Sequence, residues 1–225
     1  MHEHGHHHDH AHDHGHDHAH DHAQARPHAP PAKDEKIHSY HQVLGLALKE
    51  LLIEKGIVTA DEIRKAIEFR DSITPALGAS IVARAWTDPA YKRRLIENGT
   101  EAVNEMGANM GDLKLVVVEN TPDVHNVIVC TLCSCYPRAV LGLPPSWYKS
   151  REYRSRVVRE PRVVLKEFGT AIPDKVELRV HDSTADMRYL VLPMRPQGTE
   201  NLSADALAKL VTRDCMVGVS LPKSA

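Results

Sequence analysis

Three of the chain's four cysteines, Cys130, Cys133 and Cys135, fall within one six-residue stretch that follows directly on the apolar run Val127-Ile128-Val129. Such β-branched residues read as a buried strand, so whatever folds here must carry a sulfur-rich loop stiffly on the end of a core strand. Thiolates bind borderline and soft transition metals in their deprotonated form, and a cluster of them needs a metal or a strong positive potential. Cys-x-x-Cys lets two sulfurs converge on one centre. Cys133-Ser134-Cys135 brings the intervening peptide nitrogens near it too, a pattern of mixed sulfur and backbone-nitrogen ligation. A structural zinc site would want four ligands, the fourth from Cys215 or His125. A disulfide is disfavoured because no secretory signal precedes these cysteines, and buried structural cysteines do not cluster in this way. Spacing favours a metal loop and leaves its identity open.

The first 28 residues point elsewhere. They hold 13 of the 17 histidines, interleaved with Asp9, Asp13, Asp17 and Asp21, and almost no large apolar side chain. No core can come from that composition. Neutral imidazole is a ligand for cobalt, nickel, copper and zinc, so the tract reads as a metal-binding tail, with an expression tag or an inert solvating arm as the alternatives. Pro27, Pro30 and Pro31 mark residues 24–36 as a linker. Residues 1–28 also carry five acidic side chains and one basic one, so the formal charge moves from −2 for the whole chain to +2 without them. A balance this near neutral argues against nucleic acid as a partner. No apolar run reaches the roughly 18 residues of a membrane span, and the expected location is the cytoplasm.

From Ile37 to Lys55, Tyr40, Val43, Leu44, Ala47, Leu48, Leu51 and Leu52 recur with helical spacing, and Gly56 stands as a stop. Thr59 and Glu62 have capping-box spacing for a second helix. A third includes Ala79 to Trp86; Asp88 and Pro89 open a fourth, which ends at Gly99; Thr100 to Met106 is a short fifth. Around Leu113 the texture changes. Leu113 to Val118 and Val127 to Val129 read as buried strands, Val176 to Val180 as a half-exposed one, and Tyr189 to Met194 as another. Ser146 to Val158, Pro161 to Phe168 and a Ser203-capped stretch to Val211 read as helices. The fold class is α+β: residues 1–36 form a disordered tail and linker, 37–106 a helical arm, and 107–225 a layered α/β domain carrying the metal loop.

Cys130-Thr131-Leu132-Cys133-Ser134-Cys135-Tyr136-Pro137, Val140 to Pro145, Trp147-Tyr148-Lys149, Tyr153 to Arg162, Val191-Leu192-Pro193 and Val211 to Asp214 together resemble the nitrile hydratase alpha subunit. The similarity runs from about Leu44 to Val219. Gamma subunits of thiocyanate hydrolase, which convert thiocyanate to carbonyl sulfide and ammonia, share the loop.

The resemblance implies a hydro-lyase that turns small nitriles into amides. Cys130 would be a thiolate, Cys133 a cysteine sulfinic acid and Cys135 a cysteine sulfenic acid. The backbone nitrogens of Ser134 and Cys135 would complete five ligands to a low-spin trivalent ion with one open position. Low-pKa thiolates are the ones that climb the first rungs of cysteine oxidation. Cys135 would be catalytic, its sulfenate oxygen acting as nucleophile or general base. In the family, Thr at position 131 goes with non-corrin Co(III), and Fe(III) is the alternative. A beta subunit is implied, in a heterodimer or heterotetramer, its arginines holding the sulfur oxygens, and so is a cobalt-loading activator or chaperone. Arg138 and Met110 depart from the usual family residues, and Arg138 also resembles thiocyanate hydrolases. His125 reads as a satisfied core histidine, Cys215 as a small buried hydrophobe, and Arg154, Arg156, Arg159 and Arg162 as interface or carboxylate partners. The contrasting reading of tail and loop together is a cobalt carrier or store, which would exchange its metal and keep plain thiolates.

If the tail captures metal, deleting residues 2–28 lowers metal incorporation when metal is limiting; equal metal content in tailed and tailless protein, by elemental analysis, counts against it.

Overall fold

The computed structural model describes residues 39–224. The His-rich tract, the Pro-rich linker and the start of the first helix at Ile37 lie outside the described residues. Two compact units divide between Ile57 and Val58. The first contributes α1 (Tyr40–Glu54), opened by a capping box in which Ser39 and Gln42 satisfy each other's backbone amides. Gly56 follows it in a left-handed conformation. No residue of α1 is buried within its unit, and Tyr40, Val43, Leu44, Leu48 and Leu51 are exposed.

The second unit runs α2 (Ala60–Ser72), α3 (Ala76–Thr87), α4 (Pro89–Glu97), α5 (Gly99–Asn104), β1 (Lys114–Glu119), β2 (Val124–Val129), α6 (Arg138–Leu141), α7 (Ser146–Lys149), α8 (Arg151–Arg156), α9 (Pro161–Glu167), β3 (Glu177–Asp182), β4 (Met187–Leu192), α10 (Ala204–Ala208) and α11 (Arg213–Val217). This is the α+β class expected. Helix starts follow the local chemistry. Thr59 and Glu62 form the capping box of α2, and Asp88 accepts from the amides of Ala90 and Tyr91 ahead of Pro89 in α4. The strands pair in parallel as β1 with β4 and β2 with β3. In the second pair Val129 lies opposite Asp182. α3 supplies the apolar centre, burying Ile81, Val82 and Ala85, and Leu115, Ile128, Leu141, Leu165 and Leu190 are also fully buried.

Three details differ from the sequence reading. Ser146 to Val158 is two helices, because Ser150 adopts extended backbone (φ −65°, ψ 148°) and its hydroxyl accepts from the Tyr153 amide, starting α8 afresh. β4 begins at Met187 and stops before Pro193, which has no amide to continue a ladder. The short helices α6 and α11 had no counterpart in the periodicity; α11 is opened by Thr212 with Cys215 in the reciprocal place, its sulfur receiving the Thr212 amide.

A buried polar network locks β2 in place. Asn120 Oδ1 accepts from both the backbone and side-chain amides of Asn126, at 2.8 and 3.0 Å, so its own NH2 group must be what meets His125 Nδ1, at 3.2 Å. His125 is therefore the Nε2–H tautomer, donating to Gly218 O at 2.8 Å. Asn126 in turn donates to Glu119 O and accepts from His181 Nε2. Gly218 is required where it stands: at φ +91° an added Cβ would come within 2.0 Å of Asn126 O.

Burial lowers the pKa of His125, and burial followed by the nearby Arg179 lowers that of His181. A proton on His125 Nδ1 would also confront the Asn120 NH2. Below about pH 6.5 the unfolded chain binds protons that the fold resists, so stability present above that pH is lost as pH falls through it. The thermal midpoint should drop between pH 6.5 and 5.5, with net proton uptake on unfolding in that window.

Candidate metal centre

β2 delivers Cys130 into the interior at 1 % exposure, Cys133 is exposed, and Ser134 and Cys135 are half-buried. Three distant segments hold the loop between them. Asp182, at the end of β3, accepts from Thr131 at both its amide (2.9 Å) and its hydroxyl (2.5 Å). Arg154 in α8 donates from Nη1 to Cys133 O at 2.8 Å, and Tyr148 in α7 donates its hydroxyl to Cys135 O at 2.8 Å. Burial pushes the Tyr148 pKa up, so it stays a donor. Tyr148 belongs to an aromatic wall behind the loop in which Tyr136, Trp147, Tyr153 and Phe168 meet edge to face, and the Tyr153 hydroxyl donates to Ile128 O inside β2.

The sulfurs are crowded. Cys130 and Cys133 Sγ lie 3.4 Å apart, Cys133 and Cys135 Sγ 3.2 Å apart, and all three within 4.8 Å of one another. For an ion about 2.3 Å from each sulfur, ligands at right angles are roughly 3.3 Å apart and tetrahedral ligands roughly 3.8 Å. The two short separations lie nearer the right-angled value than the tetrahedral one of zinc. The sulfurs also share protons. Hydrogen bonds from Cys135 and then Cys130, with smaller help from the Ser134 and Cys135 amides, lower the Cys133 pKa to about 7, whereas burial and then the same sulfur contacts raise Cys135 to about 12. Of Cys133 and Cys135, Cys133 ionises first.

Three buried donors have no hydrogen-bond partner among the described residues, Tyr136 Oη, Arg154 Nε and Arg188 Nε, whereas the equally buried Ser183 hydroxyl faces Tyr148. Tyr136 belongs to the loop, and Arg154 holds Cys133. Ser183 follows Asp182 and its amide donates to Val129 O, while Arg188 lines one cavity with Cys133, Ser134 and Cys135. A buried donor without an acceptor costs about 1–3 kcal/mol, so Tyr136, Arg154 and Arg188 around one loop mark a site whose acceptors are incomplete with plain cysteines.

Cys130, Cys133 and Cys135 are the one group of three potential ligands among the described residues. His125 and Cys215 stand outside it, since both ring nitrogens of His125 are engaged and the Cys215 thiol donates to Thr212 O. His125 is the satisfied core histidine expected, and neither residue is a fourth zinc ligand. Of the arginines read as interface residues, Arg156 pairs with Glu160 and Glu167, and Arg162 donates to the carbonyls of Ile172, Pro173, Asp174 and Val176. Arg154 alone of that group reaches the loop. The sequence reading passed over Asp182, Tyr148 and Arg188; the one local hint was that Asp182 ends an alternating strand.

A loop of three convergent sulfurs on the end of a parallel strand, backed by aromatic residues and fastened through its carbonyls, is a cluster that could hold a metal ion in a fold of the α+β class. The family described as nitrile hydratase, alpha chain, matches residues 39–220. The chain is 52% identical over 178 residues to the low-molecular weight cobalt-containing nitrile hydratase subunit alpha of Rhodococcus rhodochrous, covering 78% of this chain and 86% of that one. It is 44% identical to the thiocyanate hydrolase subunit gamma of Thiobacillus thioparus, over 81% of this chain and 80% of that one. Among solved structures it superposes on recombinant thiocyanate hydrolase comprising partially modified cobalt centres with a TM-score of 0.77 at 43% identity, covering 83% of this chain and 92% of that one. This chain belongs to the nitrile hydratase alpha family, subunits of enzymes that hydrate nitriles to amides.

Asp182→Ala removes both acceptors of Thr131 at once. It should loosen the loop by roughly 1–3 kcal/mol and speed loss of metal to a chelator, with Asp182→Asn intermediate; metal retention equal to wild type would show that the contact does not hold the site.

Proposed function

We propose that this chain is the metal-bearing subunit of a cobalt-dependent nitrile hydratase in which Cys130, Cys133, Cys135 and the backbone nitrogens of Ser134 and Cys135 are the ligands. The observation that carries the reading is the right-angled spacing of the sulfurs beside unsatisfied buried donors. Oxygens on Cys133, as a sulfinate, and on Cys135, as a sulfenate, would give those donors acceptors. When bound, trivalent cobalt supplies a Lewis acid that polarises a C≡N group or lowers the pKa of a water. Cobalt rather than iron is supported by Thr131 and by the cobalt named for the Rhodococcus rhodochrous relative.

The chain's own residues do the rest. Thr131, Cys133 and Cys135 are fixed from Asp182, Arg154 and Tyr148, so the ligand atoms are held before metal arrives. A cavity of about 440 Å³ opens against Cys133, Ser134 and Cys135, with Phe69, Ile73, Met110, Leu113 and Leu143 as apolar lining for the organic part of a nitrile. Cys135 lines the same cavity, so an oxygen on its sulfur would be placed as nucleophile or general base. In this reading the arm that meets a beta partner is the first unit, because α3 packs into the core of the second. The exposed apolar residues of α1 support that role. An activator would load the metal, and the assembly would work in the cytoplasm; no helix of the described residues is long and apolar enough to cross a membrane.

The complex co-expressed with cobalt and its partner should contain one cobalt per chain, gain three oxygens across Cys133 and Cys135 by peptide mass, and release amide from a nitrile. Zinc with unmodified cysteines would overturn the reading, and so would carbonyl sulfide from thiocyanate with no amide from any nitrile.

A further inference from the structure

The cavity beside the cysteine loop carries charge of one sign. Arg70, Arg138 and Arg188 line it, and no aspartate or glutamate does. The three guanidinium groups are not equivalent. Arg188 is half-buried and committed to the protein, its Nη1 donating to the carbonyls of Thr184, Ala185 and Met187 and its charge favouring the Cys135 thiolate. Arg70, in the last turn of α2, and Arg138, at the start of α6, are exposed. Neither guanidinium group makes a hydrogen bond or ion pair with any described residue; the Arg138 contacts are those of its backbone, to Tyr136 O and from the Gly142 amide. Two guanidinium groups thus stand where the cavity meets solvent, with Phe69, Ile73, Met110 and Leu143 as the apolar remainder of its lining. A neutral nitrile needs neither charge.

We propose that this cavity selects small anions that end in a C≡N group, with Arg70 and Arg138 holding the anionic end while the C≡N end meets the cysteine wall. The proposal rests on the hydratase reading and names its substrate class as nitriles bearing a carboxylate. Thiocyanate shares the chemistry of an anion ending in C≡N and is the other source. The reaction on a cyano-carboxylate is simple hydration: water adds its oxygen to the nitrile carbon and its two hydrogens end on nitrogen, with no redox partner. Arg70 and Arg138 are specificity residues that touch the far end of the substrate and move no proton. An exposed guanidinium–carboxylate pair is worth on the order of fivefold in binding, more when its two-pronged geometry is met and a partner subunit excludes water.

The test uses the cobalt-loaded complex of full-length chain and partner. kcat/KM is compared for 3-cyanopropionate and its neutral isostere 3-cyanopropanamide, and binding of the product amides succinamate and succinamide is measured by calorimetry. Wild type should prefer the anion in both assays, and raising the salt should narrow the preference. Arg138→Gln and Arg70→Gln should each cut the anion-to-neutral ratio about fivefold, mainly through KM, and Arg138→Lys should keep part of it. A ratio at or below one in wild type, or a ratio unmoved by both glutamine variants while assembly with the partner weakens, overturns the proposal and makes these arginines interface residues. Arginine-dependent succinamate binding without turnover of any nitrile would sink the hydratase reading and leave the anion site standing. Carbonyl sulfide from thiocyanate with the same arginine dependence would make thiocyanate the source. Loss of both binding and turnover removes both readings.

Discussion

Three sulfurs separated by 3.2 and 3.4 Å along the loop are closer than thiolates tolerate unaided. Like charges at that range disfavour ionising all three together; the hydrogen bonds the sulfurs share lower the Cys133 pKa to about 7, and burial above all raises that of Cys135 to about 12. A multivalent cation at their centre would turn the repulsion into ligation. Until it arrives, the crowding must be sustained by the protein, and much of the second unit reads as the means of sustaining it. Bonds to Thr131, Cys133 O and Cys135 O fasten the loop from outside, and the edge-to-face aromatic wall blocks retreat behind it.

That stiffness begins in β2. A strand carrying His125 and Asn126 at 4 % and 3 % exposure would ordinarily be penalised for its buried polar groups. Here each of those groups has a defined partner, and the chain of acceptors and donors allows a single tautomer and a single amide orientation. The network ties β2 to the end of β1, to β3 and to the turn at Gly218, so the strand that presents Cys130 is anchored along its length. Polar satisfaction in the core and precision at the site are one arrangement. A satisfied buried network specifies one geometry where an apolar core would permit several.

What could be read from the sequence was whatever is local along the chain. The sulfurs are neighbours in sequence, the capping box at Thr59 and the cap at Asp88 span three residues, and the β-branched runs before the loop announce buried strands. The fasteners were not legible, since Asp182 meets Thr131 only because β2 and β3 pair in parallel with Val129 opposite it, a register no local pattern encodes. Arg154 could not be separated from Arg151, Arg156 and Arg159 by spacing, because helical turns of six residues do not fix which face meets the loop. The break at Ser150 was hidden for a related reason: a serine inside a helical pattern and a serine capping a new helix look alike until the tertiary position of Tyr153 decides between them.

The six residues from Cys130 to Cys135 form one contiguous segment, but the groups that shape them come from positions 148, 154 and 182. The cysteine cluster is portable and its geometry is not. A synthetic peptide of this sequence, or the same segment spliced into an unrelated scaffold, would carry every sulfur and amide nitrogen and none of the outside contacts, leaving a flexible chelator. Transplanting the centre means moving the strand pair, the tyrosine wall and the arginine together, in effect the whole second unit.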